Sequence, residues 1–156
     1  VLLTHGHFDH IMGLDDFLKE FPVPVYAFSE EKPLLESAEL NSSLGMFRRP
    51  YTFSGAEYVG DGQILHIAGF EIRVIHTPGH TAGGCCYYIP AENVLISGDT
   101  LFRASVGRTD LPRGSMGDLV RSVREKLFVL REETKVYPGH MEETTIGYEK
   151  KYNPFV

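Results

Sequence analysis

The first ten residues carry the feature that most limits what this chain can become. Thr4-His5-Gly6-His7-Phe8-Asp9-His10 places three imidazoles and one carboxylate within six residues. Imidazole nitrogen and carboxylate oxygen are ligands for Zn, Fe, Mn or Ni, and packing alone rarely requires them at this density. The motif predicts a loop at the end of a buried strand, in which His5 and His7 bind one ion while Asp9 and His10 reach a second.

Three further candidate ligands share one sequence context. Each follows a glycine at the end of an apolar, strand-like segment, and the three are His80, Asp99 and His140. Glycine has no Cβ, so the backbone can turn tightly and approach an ion closely. Asp99 has two carboxylate oxygens and can bridge two metals held about 3.5–4 Å apart, the spacing of two-metal hydrolytic sites.

Together these motifs resemble the metallo-β-lactamase superfamily, whose signature is T-H-x-H-x-D-H followed by His, Asp and His in this order. The resemblance covers essentially the whole chain, and four separate motifs agree in order and spacing. It implies an α/β fold, a four-layer αββα sandwich, formed by a single domain over residues 1–156. In that fold a run of strands precedes the first motif, so residues 1–3 are interpreted as the end of a strand in an N-terminally truncated domain.

The resemblance also implies two divalent metal ions, with zinc expected and iron or manganese as alternatives. The implied ligands are His5, His7 and His80 for one ion, Asp9, His10 and His140 for the other, and Asp99 between them. Asp9 is further implied as a catalytic residue, because it neighbours the attacking hydroxide and can orient it or carry a proton.

Asp99 narrows the expected chemistry. β-Lactamases of the best-known class carry cysteine or serine at this position, so antibiotic hydrolysis is not expected. The aspartate is similar to hydroxyacylglutathione hydrolases, and residues 107–112, 144–149 and 153–155 resemble the short bacterial type II glyoxalases. We therefore expect a binuclear hydrolase that cleaves a small-molecule thioester such as S-lactoylglutathione through a metal-bridging hydroxide.

Two alternatives stay open at this point. The segment Gly107-Arg108-Thr109-Asp110 also occurs in persulfide dioxygenases, relatives that keep a single iron on two histidines and an aspartate, and a non-catalytic fragment is the third possibility. Arg108 is a candidate for binding a substrate carboxylate. An Arg108–Asp110 contact that only orders the loop is an equally good interpretation.

Composition excludes other classes of function. The net charge of −6 and the scattered lysines and arginines give no footprint for nucleic acid. No apolar stretch is long enough for a membrane span and no leader pattern is present, so a cytoplasmic protein is expected. The two adjacent cysteines, Cys85 and Cys86, point to opposite faces of a strand and are predicted to be reduced core thiols.

Hydrophobic periodicity predicts a mixture of helices and strands. A helix is expected over residues 11–21 with a buried stripe that includes Phe17 and Phe21, helical structure over 30–47 with a break near 41–45, and another helix over 117–128. Strands are expected at 23–28, Ile64–Ile67, Phe70–His76, Cys85–Ile89, 94–97 and 135–137. His66 and His76 are interpreted as structural histidines, and Glu30, Glu31, Glu142 and Glu143 as solvated acids.

Overall fold

A computed structural model describes residues 1–156, except for the side chain of Phe47. The helices are α1 (Phe8–Ile11), α2 (Leu14–Glu20), α3 (Lys32–Leu35), α4 (Ser43–Phe47), α5 (Met116–Ser122) and α6 (Ile146–Tyr152). The strands are β1 (Val25–Phe28), β2 (Ala56–Val59), β3 (Ile64–Ile67), β4 (Phe70–His76), β5 (Cys85–Ile89), β6 (Val94–Gly98), β7 (Leu101–Phe102), β8 (Ser105–Val106), β9 (Lys135–Pro138) and β10 (Thr144–Thr145).

The larger sheet has six strands in the order β10-β9-β6-β5-β4-β3. Neighbours pair antiparallel except β6 and β9, which are parallel. Because β5 runs opposite to both β4 and β6, the strands β4, β6 and β9 all point the same way. Their carboxyl ends therefore meet at one edge of the sheet.

The smaller sheet pairs β1 with β2 in parallel. On the other side of β1, Leu2 forms an isolated parallel bridge with Tyr26. The amide of Leu3 donates to the Tyr26 carbonyl at 2.9 Å, and the amide of Tyr26 donates to the Val1 carbonyl at the same distance. Residues 1–3 thus run alongside β1 in strand-like pairing and lead directly into the histidine-rich loop.

Three buried clusters separate four layers. One fills the space between the two sheets, with Phe28 and Val59 from the smaller sheet facing Val74 and Tyr87 from the larger one. A second covers the outer face of the larger sheet with α5 and α6, and a third packs α1, α2 and α3 on the smaller sheet. The layer order is therefore helix, sheet, sheet, helix, which confirms the αββα prediction.

The first predicted helix is correct in place but wrong in detail. Two short helices, α1 and α2, replace the single helix expected over residues 11–21, because the chain turns at Met12 and Gly13. Ile11 and Leu14 are buried, whereas Phe17 and Phe21 are 45% and 57% exposed, so the buried stripe is narrower than the periodicity suggested. The two phenylalanine rings pack on each other instead, with centroids 5.1 Å apart.

Other elements show where periodicity succeeds. The strands β3, β4 and β5 have the expected bounds, and β1, β6 and β9 differ by one or two residues. The region 30–47 contains a 3-10 turn at Ser29–Glu31, α3 and α4, so its break is longer than expected and starts earlier. The helix expected over 117–128 begins as α5 and continues as a π-helical segment, Val123–Leu127. β2, β7, β8, β10 and α6 were not predicted.

The two cysteines behave as expected. Both are free and buried, and they belong to clusters on opposite faces of the larger sheet. Burial raises the pKa of the Cys86 thiol to about 11 and raises that of Cys85 further, which keeps both protonated near neutral pH. Among the described residues, no helix combines the length and apolar character needed to cross a membrane.

Candidate metal centre

The candidate ligands meet where strands of both sheets end. His80 lies in the loop after β4, Asp99 follows β6 and His140 follows β9, so the shared direction of these strands brings the three side chains to one edge. The loop that contains His5 and His7 enters from the smaller sheet, next to β1. All seven residues singled out from the sequence are brought together by this arrangement.

His5, His7 and His80 form a buried group whose candidate ligand atoms lie within 4.8 Å of one another. The Nδ1 atom of His7 and the Nε2 atom of His80 are 2.9 Å apart. His80 is oriented from behind, because its Nδ1 lies 2.7 Å from the carbonyl oxygen of Arg108. An Nδ1–H that donates to this carbonyl leaves Nε2 free to face the other two histidines, the arrangement that outer partners impose on metal-binding histidines.

Asp9, His10 and His140 form a second group within the same distance limit. The Oδ2 atom of Asp9 lies 3.2 Å from the Nε2 atom of His140 and 3.8 Å from that of His10. This group is more open to solvent, since the side chains of His140 and Asp9 are 51% and 39% exposed. Water and a substrate can therefore approach it from the cavity.

Asp99 lies between the two groups. Its Oδ2 atom is 3.6 Å from His80 Nε2 and 3.4 Å from His140 Nε2, and its Oδ1 atom is 3.4 Å from His10 Nε2. The carboxylate thus faces histidines of both groups at nearly equal distances. Its side chain is only 10% exposed, whereas that of Asp9 is 39% exposed, so Asp99 is the more deeply buried of the two carboxylates that face these histidines.

The chemistry of these donors fits metal binding. The Nε2 atoms of His5, His7 and His10 and the Oδ1 atom of Asp99 are buried and have no hydrogen-bond partner. Unpartnered buried polar atoms are rare in folded proteins, and a cluster of them requires an explanation. His5, His10 and Asp99 also form a potential metal-binding group, so divalent ions would satisfy the Nε2 atoms of His5 and His10 and the Oδ1 atom of Asp99, and the residues present suit the metals that the sequence implied.

The protonation states agree with this interpretation. Burial, together with the neighbouring histidines, lowers the pKa of His7 to about 3 and lowers that of His5 well below its ordinary value. Burial also lowers the pKa of His80 and raises that of Asp99, although the nearby histidines oppose the rise. The three histidines are therefore neutral at pH 7, which is the form that binds metal.

Two of the glycines beside candidate ligands have the mechanical roles expected of them. Gly98 adopts a φ of +50°, and a Cβ there would overlap the side chain of Thr4. A Cβ on Gly139 would overlap Oδ1 of Asp99 and crowd the ring of His10. Any larger residue would displace the loops from each other, so these glycines allow the close approach that the candidate site requires.

A cavity of about 390 Å³ opens above these side chains. His7, Asp9, His80, Asp99 and His140 line its floor, and its walls include the apolar side chains of Phe8, Met46, Phe102, Val106, Leu111 and Met141. These wall residues come from distant parts of the chain, and no sequence motif marks them.

Arg108 also lines the cavity, but its guanidinium is already engaged. Nε and Nη2 donate to the two carboxylate oxygens of Asp110 at 2.7 and 2.8 Å. This bidentate pair holds the pKa of Asp110 at about 2. The structure therefore contains the loop-ordering contact that the sequence left open, and a substrate-binding role for Arg108 stays a prediction.

The interpretation of Glu31 as a solvated acid is wrong. Glu31 is 1% exposed and accepts hydrogen bonds from the histidine-rich loop and from the loop of His80. Sequence reasoning missed it because two charged neighbours, Glu30 and Lys32, make the segment resemble a solvated face. His76 behaves as a structural histidine, since it stacks on Phe28 with ring centroids 4.1 Å apart.

Comparison with known proteins identifies the family. The model of the metallo-beta-lactamase superfamily matches residues 1–140, so the chain belongs to this superfamily of metal-dependent enzymes, most of them hydrolytic. It is 43% identical over 159 residues to the probable metallo-hydrolase YqgX of Bacillus subtilis (strain 168), with 100% of this chain and 74% of that protein covered. It is 36% identical over 158 residues to the hydroxyacylglutathione hydrolase GloC of Haemophilus influenzae, with the same coverage.

Solved structures agree with this assignment. The crystal structure of BLEG-1 B3 metallo-beta-lactamase superposes with a TM-score of 0.92 at 44% identity, covering 99% of this chain and 75% of that one. A di-iron-bound form of TTHA1623 gives a TM-score of 0.88 at 36% identity, with 99% and 76% covered. The chain therefore spans about three quarters of the relatives that it matches.

Proposed function

We propose that this chain is a binuclear metal-dependent hydrolase whose substrate is a thioester such as S-lactoylglutathione. One divalent ion would be held by His5, His7 and His80 and the other by Asp9, His10 and His140, with Asp99 between them. The single observation that carries the proposal is the position of Asp99, which lies within 3.6 Å of histidines from both groups. Two cation sites that share one carboxylate are typical of two-metal hydrolases.

Metal ions bound here would lower the pKa of water to about 7 and polarise a carbonyl oxygen. The protein's own residues supply the rest. The carbonyl of Arg108 holds the ring of His80 in one tautomer, and Asp99 provides the negative charge that two adjacent cations need. Asp9 projects into the cavity with Oδ2 3.2 Å from His140, where it can orient a water molecule or hold its proton.

The thioester assignment rests on similarity and on leaving-group chemistry. GloC of Haemophilus influenzae is a hydroxyacylglutathione hydrolase, and the match covers 100% of this chain and 74% of GloC. A thiolate is a good leaving group, so the reaction requires no dedicated general acid beside sulfur. The apolar wall formed by Phe8, Phe102 and Met141 suits the acyl and thiol carbons of a small thioester.

Two other activities have a specific observation in their favour. The segment from Gly107 to Asp110 also suits a persulfide dioxygenase with one iron, although the grouping of Asp9, His10 and His140 favours two ions. The 44% identity to BLEG-1 B3 metallo-beta-lactamase is a reason to test for β-lactam hydrolysis. The aspartate at position 99 argues against that activity.

The deciding experiment combines metal analysis with three substrate assays on one preparation. Two equivalents of metal per chain together with hydrolysis of S-lactoylglutathione support the proposal. One tightly bound iron with oxygen consumption on a persulfide substrate supports the dioxygenase, and hydrolysis of a chromogenic cephalosporin alone supports a β-lactamase. A folded chain that binds no metal refutes all three.

A matched pair of variants makes the test specific to the site. His5→Ala removes a buried member of the first group, whereas His66→Ala removes a histidine on β3 that belongs to no potential metal-binding group among the described residues. We expect His5→Ala to lose metal and activity and His66→Ala to keep both. Equal behaviour of the two variants contradicts the assignment.

A further inference from the structure

Glu31 is a buried carboxylate that ties two loops of the candidate metal centre together. Its Oε1 atom accepts from the backbone amide of Gly6 at 2.8 Å, and its Oε2 atom accepts from the hydroxyl of Thr81 at 3.1 Å. The backbone amide of Gly83 donates to the same carboxylate. Gly6 separates His5 from His7, and Thr81 directly follows His80.

Glu31 is also tightly packed by its neighbours. A Cβ on Gly83 would overlap the backbone and the carboxylate of Glu31. A buried carboxylate is costly unless its oxygens are hydrogen-bonded. In the part of the chain that the structure describes, no lysine or arginine lies within ion-pair distance of Glu31, so three donors from two loops provide its stabilisation.

We propose that Glu31 is a positioning residue for the site formed by His5, His7 and His80. The carboxylate fixes the separation between the loop of His5 and His7 and the loop of His80, so that the three rings converge on one ion. This inference rests on the proposed function, because it assumes that the three histidines bind metal. Groups that orient ligands from outside the coordination shell typically change metal affinity by about 10–100-fold.

Replacing Glu31 with glutamine separates shape from chemistry. Glutamine keeps the size of the side chain but has one oxygen and one NH2 group, which can only donate. The hydroxyl of Thr81 can rotate and accept from this NH2 group, whereas the backbone amides of Gly6 and Gly83 cannot. Glu31→Gln therefore replaces one of two acceptor oxygens with a donor, so that any backbone amide facing the NH2 group loses its acceptor and one loop is loosened relative to the other.

Glu149 provides a matched control. It is 0% exposed, and its carboxylate accepts from the Ala104 amide at 3.0 Å, the Thr144 hydroxyl at 2.5 Å and the Asn153 amide group at 2.8 Å. It is therefore as deeply buried as Glu31 and as fully bonded. None of its donors adjoins a histidine of the first group.

The test is a zinc titration of the metal-free chain against a chromophoric chelator, which yields a dissociation constant for each site. We expect Glu31→Gln to weaken one of the two sites by about 10–100-fold and to leave the other close to wild type. Glu149→Gln should lower the melting temperature by a similar amount and leave both constants unchanged. Visible spectra of the cobalt-substituted chain should change for Glu31→Gln and not for Glu149→Gln.

Thr81 supplies a milder variant in case Glu31→Gln fails to fold. Thr81→Val removes one donor to Glu31 and should weaken the same site, whereas Thr81→Ser keeps the hydroxyl and should restore it. If the wild type binds two zinc ions and both dissociation constants are unchanged in Glu31→Gln or Thr81→Val, this inference is wrong and the proposed function stands. The same holds if Glu149→Gln weakens zinc binding as much as Glu31→Gln does. A folded wild-type chain that binds no zinc would overturn the proposed function together with this inference.

Discussion

Asp99→Asn should separate the function of the candidate site from the stability of the fold. In the metal-free protein Asp99 is an unfavourable residue, because burial raises the pKa of its carboxyl and its Oδ1 atom has no hydrogen-bond partner. Asparagine has nearly the same shape and carries no charge. The metal-free variant should therefore be at least as stable as the wild type.

The loss in metal binding should be large. Partners that only orient a ligand contribute about 10–100-fold to affinity, and a carboxylate shared by two ions should contribute at least the upper value. Asp99 is placed to be shared, because its two oxygens lie 3.4–3.6 Å from Nε2 of His80 in the first group and from Nε2 of His10 and His140 in the second. We expect the affinity for the second equivalent of zinc to fall by about 100-fold, which corresponds to about 2.7 kcal/mol.

Chelator competition measures the zinc affinities, and thermal melts with and without zinc measure stability. Asp110→Asn is the control, because it removes another loop aspartate that pairs with Arg108 at the surface. The control should bind zinc as the wild type does. A metal-free Asp99→Asn chain that melts well below wild type, or one that keeps both zinc affinities, would refute the reasoning.

Three further predictions address separate parts of the centre. His140→Ala should lose one of two metal equivalents with little change in melting temperature, since this side chain is half exposed, and elemental analysis checks this. The free energy of unfolding of the metal-free chain should keep its full value above about pH 6.5 and fall as the pH drops towards 3, because His7 stays neutral in the folded chain and becomes protonated in the unfolded one. Denaturant melts at several pH values check this, and an ordinary pKa of His7 in the folded chain would remove this contribution to the pH dependence. Asp110→Asn should lower KM for S-lactoylglutathione by up to about fivefold if Arg108 meets a substrate carboxylate, because it releases the guanidinium from an exposed ion pair. An unchanged KM would exclude that role.

The candidate site could be predicted from the sequence because two independent patterns, residue type and sequence context, indicate its residues. Each candidate ligand is of a metal-binding type, and His80, Asp99 and His140 each follow a glycine at the end of an apolar strand. The parallel direction of β4, β6 and β9 then follows from the pairing of these strands and brings the three residues to one edge. Ligand chemistry and sheet topology both favour the same edge of the sheet, so the convergence of these residues could be predicted from one sequence.

Residues that support the site carry no such mark. Glu31 stands in an acidic, helical-looking segment, and only its three-dimensional contacts with Gly6 and Thr81 distinguish it from a solvated acid. The break between α1 and α2 lies at a local turn at Gly13. The apolar periodicity of the sequence continues across this turn, so it gives no sign of the break. Periodicity reports which faces are apolar and does not report where tertiary packing interrupts a helix.

Without metal, the groups of this centre lower the stability of the fold. Three neutral histidines and one carboxylate are buried together with several unpartnered atoms, and each such atom costs about 1–3 kcal/mol when nothing bonds to it. The fold holds them in place through groups that have no direct part in the chemistry, including the carbonyl of Arg108 behind His80 and the carboxylate of Glu31 between two loops. Local rules of packing are broken in this way mainly at functional sites. Metal ions bound by these groups would offset that cost, so the unpartnered buried atoms of the candidate centre favour its proposed function.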